Sequence, residues 1–278
     1  MNRVCIVAIL KDEEPFVDEW IVYHRMLGVD HFFLYDDNPD FPLREILMPY
    51  SEYVTVIDWS GMDKMFTGRC NQTKAYNHAR NNYISAFDWV LFIDGDEFVT
   101  LNNHENIQDF LSDFDDYETV SLNWHVFGHN GFYDDPEGLI TSSLTRRMFA
   151  PSKMVKTFTR PQAIADIRSP HCCILKYGKH ADANANYYTE TLYPGRTSSA
   201  RINHYQCRSF KNWMNRPHRG DAMSDDKNLP EEYKWRHSED GCLRQFVETI
   251  AKDKNEYVDR EMLKYRDPLT KKIKNIIR

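Results

Sequence analysis

The sequence predicts an α/β fold with a mainly parallel central sheet, helices on both faces and an antiparallel extension. Two observations predict it. Apolar strand-like runs alternate with helix-like segments over about the first hundred residues, and strand-like runs with few helices between them then follow. Strands joined by helices are typical of parallel pairing, because the connecting helix returns the chain to the same end of the sheet.

The first strand and the first helix set the alternating pattern. Residues 3–10 (RVCIVAIL) form an apolar run that predicts a buried strand. Residues 11–28 place apolar side chains at helical spacing, which predicts a helix that packs one face on the sheet. Asp12 is the expected N-cap, and Gly28 is the expected stop, since glycine adopts the left-handed conformation that ends many helices.

Three more strand-like runs follow, with helix-like segments between them. Two of these runs end in acidic residues, at Asp36 and Asp37 and at Asp94 and Asp96. Ligands of parallel α/β sheets bind at the carboxyl ends of strands, so both acid pairs are candidates for a binding site. In chain order, the expected elements are a strand at 31–37, a short helix at 42–50, a strand at 53–59, a helix at 69–87 and a strand at 89–94.

The middle of the chain has a different pattern. Strand-like runs follow one another with few helices between them, which predicts an antiparallel extension of the same sheet. The polar, turn-rich stretch 178–199 is expected to be a loop, and long loops in compact domains are often functional. After a helix near 104–114, the expected strands lie at 119–128, 144–150, 154–161, 172–178 and 200–207, and helices return at 210–220 and 230–265.

Composition narrows the functional class. Hydrophobic residues make up 41% of the chain and charged residues 28%, as in soluble globular proteins. The net charge of −7 argues against a nucleic-acid partner. The longest early apolar run is too short to span a membrane, and the six cysteines form no CxxC pair. Both features predict a cytoplasmic protein with reduced thiols.

The Asp94-Gly95-Asp96 triplet is the strongest chemical signal in the sequence. Gly95 is expected to adopt dihedral angles that other residues avoid, and so to turn both carboxylates toward one point. Hard divalent cations such as Mg²⁺ are usually held by one or two carboxylates together with substrate phosphates. The triplet therefore predicts a metal–diphosphate site at the tip of the sheet, and a solvated acidic turn is the alternative.

Several segments, taken in order, resemble a known family. They are AILKDEEPFVDEWIVYHRMLGVDHFFLYDDN (8–38), WVLFIDGDEFV (89–99), NWHVFGHNG (123–131) and INHYQCRS (202–209), followed by Arg219 and Gly220. They resemble the signature segments of glycosyltransferase family 92 and its family-2-like relatives, from about residue 4 to about residue 220. The resemblance implies one GT-A domain over 1–278, with a nucleotide-binding half over about 1–100, an acceptor half over about 101–225 and C-terminal helices over 226–278.

The resemblance also implies a reaction. A hexose, with UDP-galactose as the leading donor, would pass to a hydroxyl of a glycan or glycolipid with inversion. Mn²⁺ or Mg²⁺ would be the cofactor, and Asp94 and Asp96 would be the catalytic residues that hold it. In the family pattern the first acid lies by the ribose or reaches the metal through water, and the second binds the metal directly, so Asp96 is the first choice of ligand. GT-A enzymes often complete the metal site with a late histidine, and His204 stands where that residue is expected. His171 is the competing candidate.

The same resemblance assigns residues to the donor. A carboxylate can accept hydrogen bonds from ribose hydroxyls or from the base, and basic side chains can bind a diphosphate. For Glu13, Arg69 and Gln72 the alternative is an ordinary helix start, and for Arg219 it is an ordinary helix end. The expected donor-binding residues are Lys11, Glu13, Asp36, Asp37, Arg69, Gln72 and Arg219.

The acceptor side is assigned less fully. Trp124 is expected to stack on a sugar face, and Gly128 and Gly131 are expected to leave room for the ring. An inverting transfer also needs a carboxylate base opposite the leaving group, and the sequence does not choose between several carboxylates. The candidates are Asp134, Asp135 and Glu137 in one segment and Asp182 and Glu190 in the long loop, with Asp135 and Glu137 retained as catalytic candidates.

Other interpretations stay open. The basic tail from Lys264 has apolar residues at helical spacing, so it is either an ordinary terminal helix or an interfacial helix that contacts anionic lipid at the inner membrane face. A nucleotidyltransferase shares the sheet and the metal–phosphate chemistry, but segment 9–15 lacks its glycine-rich loop. A non-catalytic sugar-binding module is the third class, and it needs no metal-bound diphosphate.

Overall fold

The computed structural model describes residues 2–60, 70–186, 197–219 and 231–276. The strands are β1 (Val4–Leu10), β2 (His31–Asp36), β3 (Val54–Asp58), β4 (Trp89–Phe92), β5 (Glu97–Leu101), β6 (Thr119–Val126), β7 (Arg146–Arg147), β8 (Val155–Thr159), β9 (Ile164–Asp166), β10 (Ile174–Leu175), β11 (His180–Asp182), β12 (Ala200–His204) and β13 (Tyr257–Val258).

The α-helices are mostly short. They are α1 (Val17–Met26), α2 (Leu43–Ile46), α3 (Asn71–Asn82), α4 (Ile107–Ser112), α5 (Ile140–Ser143), α6 (Phe210–Met214), α7 (Arg216–Arg219), α8 (Glu231–Arg236), α9 (Glu239–Gln245), α10 (Ala251–Asp253) and α11 (Arg266–Ile276). A π-helical turn over Phe246–Ile250 joins α9 to α10. Single 3₁₀ turns occupy Met48–Tyr50, Ile84–Ala86, Pro161–Ala163 and Glu261–Tyr265.

Nine of the described strands form one mixed sheet. Its order is β3-β2-β1-β4-β8-β6-β12-β5, and β11 pairs with β6 beside β12. Strands β1 to β4 pair in parallel, and β6 pairs in parallel with both β11 and β12. The antiparallel pairings are those of β8 with β4 and β6 and of β5 with β12. The predicted α/β fold, with a mainly parallel sheet and an antiparallel extension, is confirmed.

Helices cover both faces of the sheet, because alternate side chains of a buried strand point to opposite faces. On one face, Ile6 of β1 belongs to the larger core cluster together with Trp20 of α1. On the other face, Val7 of β1 belongs to a second cluster together with Tyr76 of α3. The continuous apolar runs of the sequence therefore correspond to strands that are buried on both sides.

The first helix begins later than the sequence predicts. α1 starts at Val17 with Phe16 in the N-cap position, so the expectation that Asp12 caps it is wrong. The chain first turns away from β1: Asp12 has a φ of 55°, and the carbonyl oxygen of Glu13 accepts the N–H groups of Phe16 and Val17. The predicted stop is confirmed, because Gly28 has a φ of 98° in the left-handed region.

The β-strands after residue 94 differ in part from the predictions. β5 was not predicted, because it is only five residues long and follows β4 after a four-residue acidic turn. It lies at the far edge of the sheet, where Glu97 pairs with His204 of β12. The strands predicted at 144–150 and 172–178 shrink to β7 and β10, which belong to separate two-stranded sheets.

The strand ends that carry the candidate site residues lie at one edge of the sheet. β6 and β12 run in the same direction as β1 to β4, since β8 lies antiparallel between β4 and β6. The carboxyl ends of all these strands therefore lie at one edge, and β5 begins there because it runs against β12. Asp36, Asp94 and His204 share this edge, which is where parallel α/β sheets bind ligands.

The C-terminal helix packs its apolar residues against the protein core. Leu269 of α11 is fully buried, and Ile273 and Ile276 pack against the larger core cluster. An interfacial helix would place these side chains in lipid, so the packing fits the ordinary terminal helix. Within the described ranges, no helix is both long and apolar enough to cross a membrane.

Candidate active site

The turn between β4 and β5 carries the acidic triplet. The N–H of Ile93 still donates to the carbonyl oxygen of Val7 on β1 (3.3 Å), so the chain leaves the sheet at Asp94. Glu97 closes the turn twice: its N–H donates to the carbonyl oxygen of Asp94 (3.2 Å), and its carboxylate accepts the Asp94 N–H (2.8 Å). The turn therefore fixes the backbone of both aspartates at the sheet edge.

Gly95 has a steric role and not the conformational one that the sequence suggested. It is not among the glycines with positive φ in the described chain, so the expectation of unusual dihedral angles is wrong. A Cβ atom at this position would lie 2.8 Å from a methyl carbon of Leu10 and 3.2 Å from Cγ of Glu13. Glycine is needed because the loop after β1 passes directly against the turn.

Asp94 uses both carboxylate oxygens within the protein. Gln72 Nε2, in the first turn of α3, donates to Oδ1 (2.6 Å), and Lys156 Nζ, on β8, donates to Oδ2 (3.0 Å). Gln72 also donates to the hydroxyl of Tyr76 (2.8 Å). Gln72, a predicted donor-binding residue, is therefore placed so that it orients the first acid of the triplet.

Lys156 and Glu97 form the buried side of the site. Both side chains are 0% exposed, and Lys156 Nζ lies 3.4 Å from the Glu97 carboxylate. Burial disfavours the charge on Lys156, but Asp94 and Glu97 outweigh it and raise the pKa of the lysine above its usual range. Burial raises the pKa of Glu97 to about 8, against the opposing charge of Lys156. The positive charge of Lys156 is therefore stabilised by Asp94 and Glu97.

Asp96 has a histidine as its neighbour. His204 Nε2 lies 3.4 Å from the Asp96 carboxylate, and the two side chains are 8% and 16% exposed, respectively. Burial opposes the charged form of His204, but Asp96 outweighs burial and raises the pKa of the imidazole. Trp124 packs edge-on against His204, with ring centroids 4.4 Å apart. The imidazole is thereby held against the second acid of the triplet.

The Asp96–His204 pair offers one oxygen donor and one nitrogen donor to a divalent ion. Imidazole and carboxylate are both acceptable ligands for Mn²⁺, and phosphate oxygens complete the coordination of an ion that binds a diphosphate. In the described part of the chain, no three His, Cys, Asp or Glu side chains are grouped as a complete metal site. The pair fits an ion that the protein and a diphosphate hold together.

His171, the competing ligand, also packs edge-on against Trp124. The two ring centroids are 5.3 Å apart, and Nδ1 of His171 lies 3.1 Å from the carbonyl oxygen of Val155. Burial, assisted by the nearby charge of Lys156, lowers the pKa of His171 to about 4. The contact with Asp96 is made by His204, which favours His204 as the ligand.

The loop after β1 contributes an ion pair. Glu13 is buried and binds the guanidinium of Arg208, which follows β12. The guanidinium carbon also lies 3.9 Å from the ring centroid of Phe16. Nη1 of Arg208 is buried and has no hydrogen-bond partner among the described residues. Lys11 is half-buried in the same loop. The Glu13–Arg208 pair thus joins the β1 loop to the segment beyond His204.

Asp36 and Asp37, the second acid pair, hold neighbouring loops. The buried Asp36 carboxylate accepts from Asn38 Nδ2 (2.6 Å) and from the N–H of Leu43 (2.9 Å), where α2 begins. Asp37 accepts from Asn71 Nδ2 (2.9 Å) at the start of α3. Burial raises the pKa of Asp36. Both carboxylates hold neighbouring segments in place at this edge. Their contact with a sugar-nucleotide donor stays a prediction.

The expected acceptor residues differ in the space beside them. Trp124 is half-buried between His171 and His204. A Cβ atom at Gly128 would lie 2.5 Å from the carbonyl oxygen of Lys254, so the room expected there is filled by the segment after α10. Gly131 has a φ of 86°, and no described atom would lie within 4 Å of a Cβ there. Among the described residues, open space therefore lies beside Gly131 and not beside Gly128.

The candidate bases occupy different surroundings. Asp135 and Glu137 are exposed on the loop after β6, and the charge of Asp135 is close enough to stabilise the Arg208 cation. Asp182 is buried and accepts the backbone and side-chain N–H groups of Asn186, so it is occupied by its own turn. The fold therefore brings the Asp135 loop, and not Asp182, toward the triplet.

Three of the predicted residues lie wholly or partly outside the described chain. Arg69 and Glu190 fall in ranges that the structure does not describe, as does most of the predicted loop beyond residue 186. Arg219 ends α7, but its side chain is outside the described part. The roles expected of these three residues stay predictions.

Sequence reasoning missed two cations that the structure places at the site. Lys156 was visible as a charged residue within the strand-like run VKTFT, where a buried lysine needs a carboxylate partner. Arg208 lies inside the segment INHYQCRS that carries the family resemblance, four residues after His204. No spacing rule links either residue to the triplet, because their partners are far away in the sequence.

The sequence pattern that defines glycosyltransferase family 92 matches residues 3–246. The chain belongs to glycosyltransferase family 92. The family prediction is confirmed, and the matched region contains Asp94, Asp96, Lys156 and His204.

Related family 92 proteins occur in plants. One from Oryza sativa subsp. japonica is 30% identical over 169 residues, which cover 59% of this chain and 28% of the rice protein. One from Ricinus communis is 29% identical over 177 residues, which cover 58% of this chain and 29% of the castor protein. The matched part is thus less than a third of the length of these curated relatives.

Solved structures show a distant likeness in chain path. TarS 1-349 from S. aureus has a TM-score of 0.40 at 12% identity, covering 90% of this chain and 73% of TarS. HddC from Yersinia pseudotuberculosis has a TM-score of 0.39 at 12% identity, covering 66% and 89%. Glucosyl-3-phosphoglycerate synthase from Mycobacterium tuberculosis, in complex with Mn²⁺ and uridine-diphosphate-glucose, has a TM-score of 0.35 at 12% identity, covering 59% and 57%. At such low scores, their ligands say nothing about the ligands of this chain.

Proposed function

We propose that this family 92 member transfers a hexose, with galactose as the leading choice, from a UDP-sugar to a hydroxyl of a glycan or glycolipid. The observation that carries the proposal is the Asp96–His204 pair, which sets an oxygen and a nitrogen donor side by side at the carboxyl edge of a mainly parallel sheet. When bound there, Mn²⁺ or Mg²⁺ would supply positive charge that stabilises the nucleoside diphosphate as it leaves.

The loops after β1 and β2 are proposed to hold the nucleoside diphosphate. They are joined to each other, because the N–H of Asp12 donates to Asn38 Oδ1 (3.0 Å). Asp37 supplies an acceptor for ribose hydroxyls, and Lys11 supplies a cation for phosphate. Asp36 holds the β2 loop in place through its own hydrogen bonds. Arg69 and Arg219 complete the proposed diphosphate contacts.

The acceptor is proposed to bind between Trp124 and the loop after β6. Tyr133, on that loop, is 66% exposed and stacks on Phe210 with ring centroids 5.4 Å apart, so it presents one flat face to an incoming sugar. The exposed Asp135 carboxylate two residues later is our choice for the base that takes the acceptor proton during inversion. Glu137 is the alternative base.

A donor screen tests the reaction. The purified chain is incubated with a panel of nucleotide sugars, with Mn²⁺ or with EDTA, and release of the nucleoside diphosphate is measured. We expect release of UDP from a UDP-hexose with Mn²⁺, and little release with EDTA. Pyrophosphate formation from a nucleoside triphosphate and sugar phosphate would indicate a nucleotidyltransferase, and sugar binding without turnover would indicate a binding module.

Thermal unfolding tests the site itself. UDP at saturating concentration is expected to raise the melting temperature by about 5 °C with Mn²⁺ present and much less with EDTA, because the ligand stabilises only the folded protein. His204→Ala should lose the Mn²⁺-dependent part of this shift. His171→Ala is the matched control and should keep it, since His204 is the histidine seen beside Asp96. Loss of the shift in His171→Ala and not in His204→Ala would reverse the assignment.

A further inference from the structure

We propose that Asn71, the first residue of α3, is a positioning residue for the nucleoside of the donor. Together with Trp59, it holds the Asp37 carboxylate in the orientation that accepts a hydrogen bond from a ribose hydroxyl. This role rests on the proposed function, in which Asp37 contacts the ribose of a UDP-sugar. Neither Asn71 nor Trp59 was a predicted site residue.

The side-chain amide of Asn71 is fixed at both ends. Trp59 Nε1 donates to Asn71 Oδ1 (2.9 Å), and Asn71 Nδ2 donates to Asp37 Oδ1 (2.9 Å). An indole N–H can only donate and a carboxylate oxygen accepts, so one orientation of the amide satisfies both partners. Trp59, Asn71 and Asp37 are 4%, 3% and 9% exposed, so water has little access to these hydrogen bonds.

Trp59 is a rigid anchor for this amide. Its backbone N–H donates to the carbonyl oxygen of Asp36 (2.9 Å), which continues the pairing of β3 with β2. Its ring packs edge-on against Tyr35, with centroids 4.9 Å apart, and lies 5.3 Å from the ring of His78. A rotation of the indole would break these contacts. The direction of its N–H, and with it the direction of the Asn71 amide, is therefore set by the packing behind β2 and β3.

The backbone of Asp37 is fixed as well. Its N–H donates to the carbonyl oxygen of Leu10 (2.9 Å), at the end of β1. With its backbone and one carboxylate oxygen held, the side chain has little freedom to change rotamer. A group that is already ordered loses less conformational entropy when a ligand binds. The contacts of Asn71 and Leu10 therefore prepare Asp37 to bind a hydroxyl.

The start of α3 contacts both acid pairs of the sheet edge. Gln72, the residue after Asn71, donates to Asp94 Oδ1 (2.6 Å), so two successive amides bind one acid from each pair. β1 lies between β2 and β4, the strands that precede these acids. In the proposed complex the donor lies across the end of β1. The first two residues of α3 therefore set the spacing between the ribose contact and the acidic triplet.

Discrimination between nucleotides that differ by one hydroxyl separates positioning from a purely structural role. Binding of UDP, 2′-deoxy-UDP and 3′-deoxy-UDP to the full chain with Mn²⁺ is measured by titration calorimetry. A hydrogen bond to a charged acceptor is strong enough that the wild type should bind UDP at least about tenfold more tightly than one of the two analogues. Asn71→Leu leaves Asp37 without this orientation, so the preference should fall to about threefold or less.

Asn71→Asp supplies a second variant of nearly the same size. It keeps an acceptor for Trp59 Nε1 but replaces the donor to Asp37 with a second carboxylate, so the preference should fall as in Asn71→Leu. Asp37→Asn should also lose the preference. Asn71→Leu added to Asp37→Asn should lower it no further, because both substitutions act on the same hydrogen bond to the ribose.

Asn77→Leu is the matched control on the same helix. The Asn77 amide also makes two hydrogen bonds, to the carbonyl oxygens of Thr73 (2.8 Å) and Ile167 (2.7 Å). Its loss should lower the melting temperature, as the loss of the Asn71 amide does. The preference for UDP over the deoxy analogue should stay as in the wild type. Melting curves show which variants are folded.

Three outcomes would overturn the proposal. If Asn71→Leu lowered the melting temperature and kept the preference for UDP, Asn71 would be structural only. If Asn71→Leu weakened the preference further in the Asp37→Asn background, Asn71 would not act through Asp37. If the wild type bound UDP and both analogues equally well, Asp37 would not contact the ribose, and the proposed transfer would still stand. Wild-type protein that binds no UDP in the presence of Mn²⁺ would instead refute the proposed function.

Discussion

Two acid pairs stand at the same edge of one sheet, with β1 between their strands. They are Asp36 and Asp37 at the end of β2, and Asp94 and Asp96 after β4. In sequence the two acid pairs look alike, since each comes after an apolar strand. In the structure, Asp36 binds the start of α2 and Asp37 binds the start of α3. The β4 pair divides instead: Asp94 is bound by a buried lysine, and Asp96 lies against a histidine.

The two acid pairs differ in the element that comes next along the chain. After β2 the chain reaches the short helix α2 at Leu43, and the N–H of Leu43, which has no partner within the helix, donates to Asp36. After β4 the chain enters β5, and the donors that reach Asp94 are the side chains of Gln72 and Lys156. The two acid pairs therefore differ in the donors that the fold brings to them.

The largest expected effect is that of Asp96→Asn on turnover. If Asp96 is the metal ligand, its loss should slow the proposed transfer by at least about 100-fold. The melting temperature should change by no more than about 2 °C, because the side chain lies at the edge and outside the core. Initial rates with the best donor and melting curves measure the two effects. A large loss of stability with activity retained would contradict the assignment.

Asp36→Asn, the corresponding substitution in the pair at the end of β2, should lower the stability of the fold. Asp36→Asn removes one of the acceptors that Asn38 and Leu43 use and places an amide in a buried site, so unfolding should become easier by about 1–3 kcal/mol. Denaturant unfolding measures this change. The Mn²⁺-dependent shift produced by UDP should persist in the folded variant. A loss of UDP binding without a loss of stability would show that Asp36 contacts the donor, and the contrast between the pairs would fail.

A smaller effect is expected for Gly95→Ala, which tests the packing between the triplet and the β1 loop. The added Cβ would press on Leu10 and Glu13, so the stability should fall by about 1–2 kcal/mol. The donor affinity should fall as well, because the β1 loop is displaced. Unfolding curves and UDP titrations measure both quantities. Gly131→Ala, at a position with no described atom near a Cβ, is the control for the steric effect of the added methyl group, although its positive φ adds some strain.

The sequence predicted the alternating elements of the first hundred residues well, because buried parallel strands and amphipathic helices have strong local patterns. The predictions failed where the local sequence pattern was weak or fitted more than one structure. Asp12 has the residue type of an N-cap, yet the chain turns there and the helix starts at Val17. β5 escaped prediction because it is short and directly follows the acidic turn, so that only its pairing with β12 marks it as a strand.

The site was predicted in part. The triplet and His204 were found from the strand pattern and the family resemblance, and the fold brings them together. The alternative histidine, His171, was separated from His204 only by the contact with Asp96. Lys156 and Arg208 were missed, since each is paired with an acid on a strand or loop that is distant in the sequence. The prediction that Gly128 leaves room for a sugar ring was wrong, because the segment near residue 254 fills that space.

The sequence alone determined the α/β class, the family and the position of the acidic triplet at a strand end, because each of these depends on residue types within a short window. The tertiary structure decided which partners each carboxylate has. Asp36, Asp37, Asp94 and Asp96 are the same residue type in similar local sequences. They differ in which lysine, histidine, amide or backbone N–H group the fold brings to them, and those contacts set the charge and hydrogen bonding of each acid.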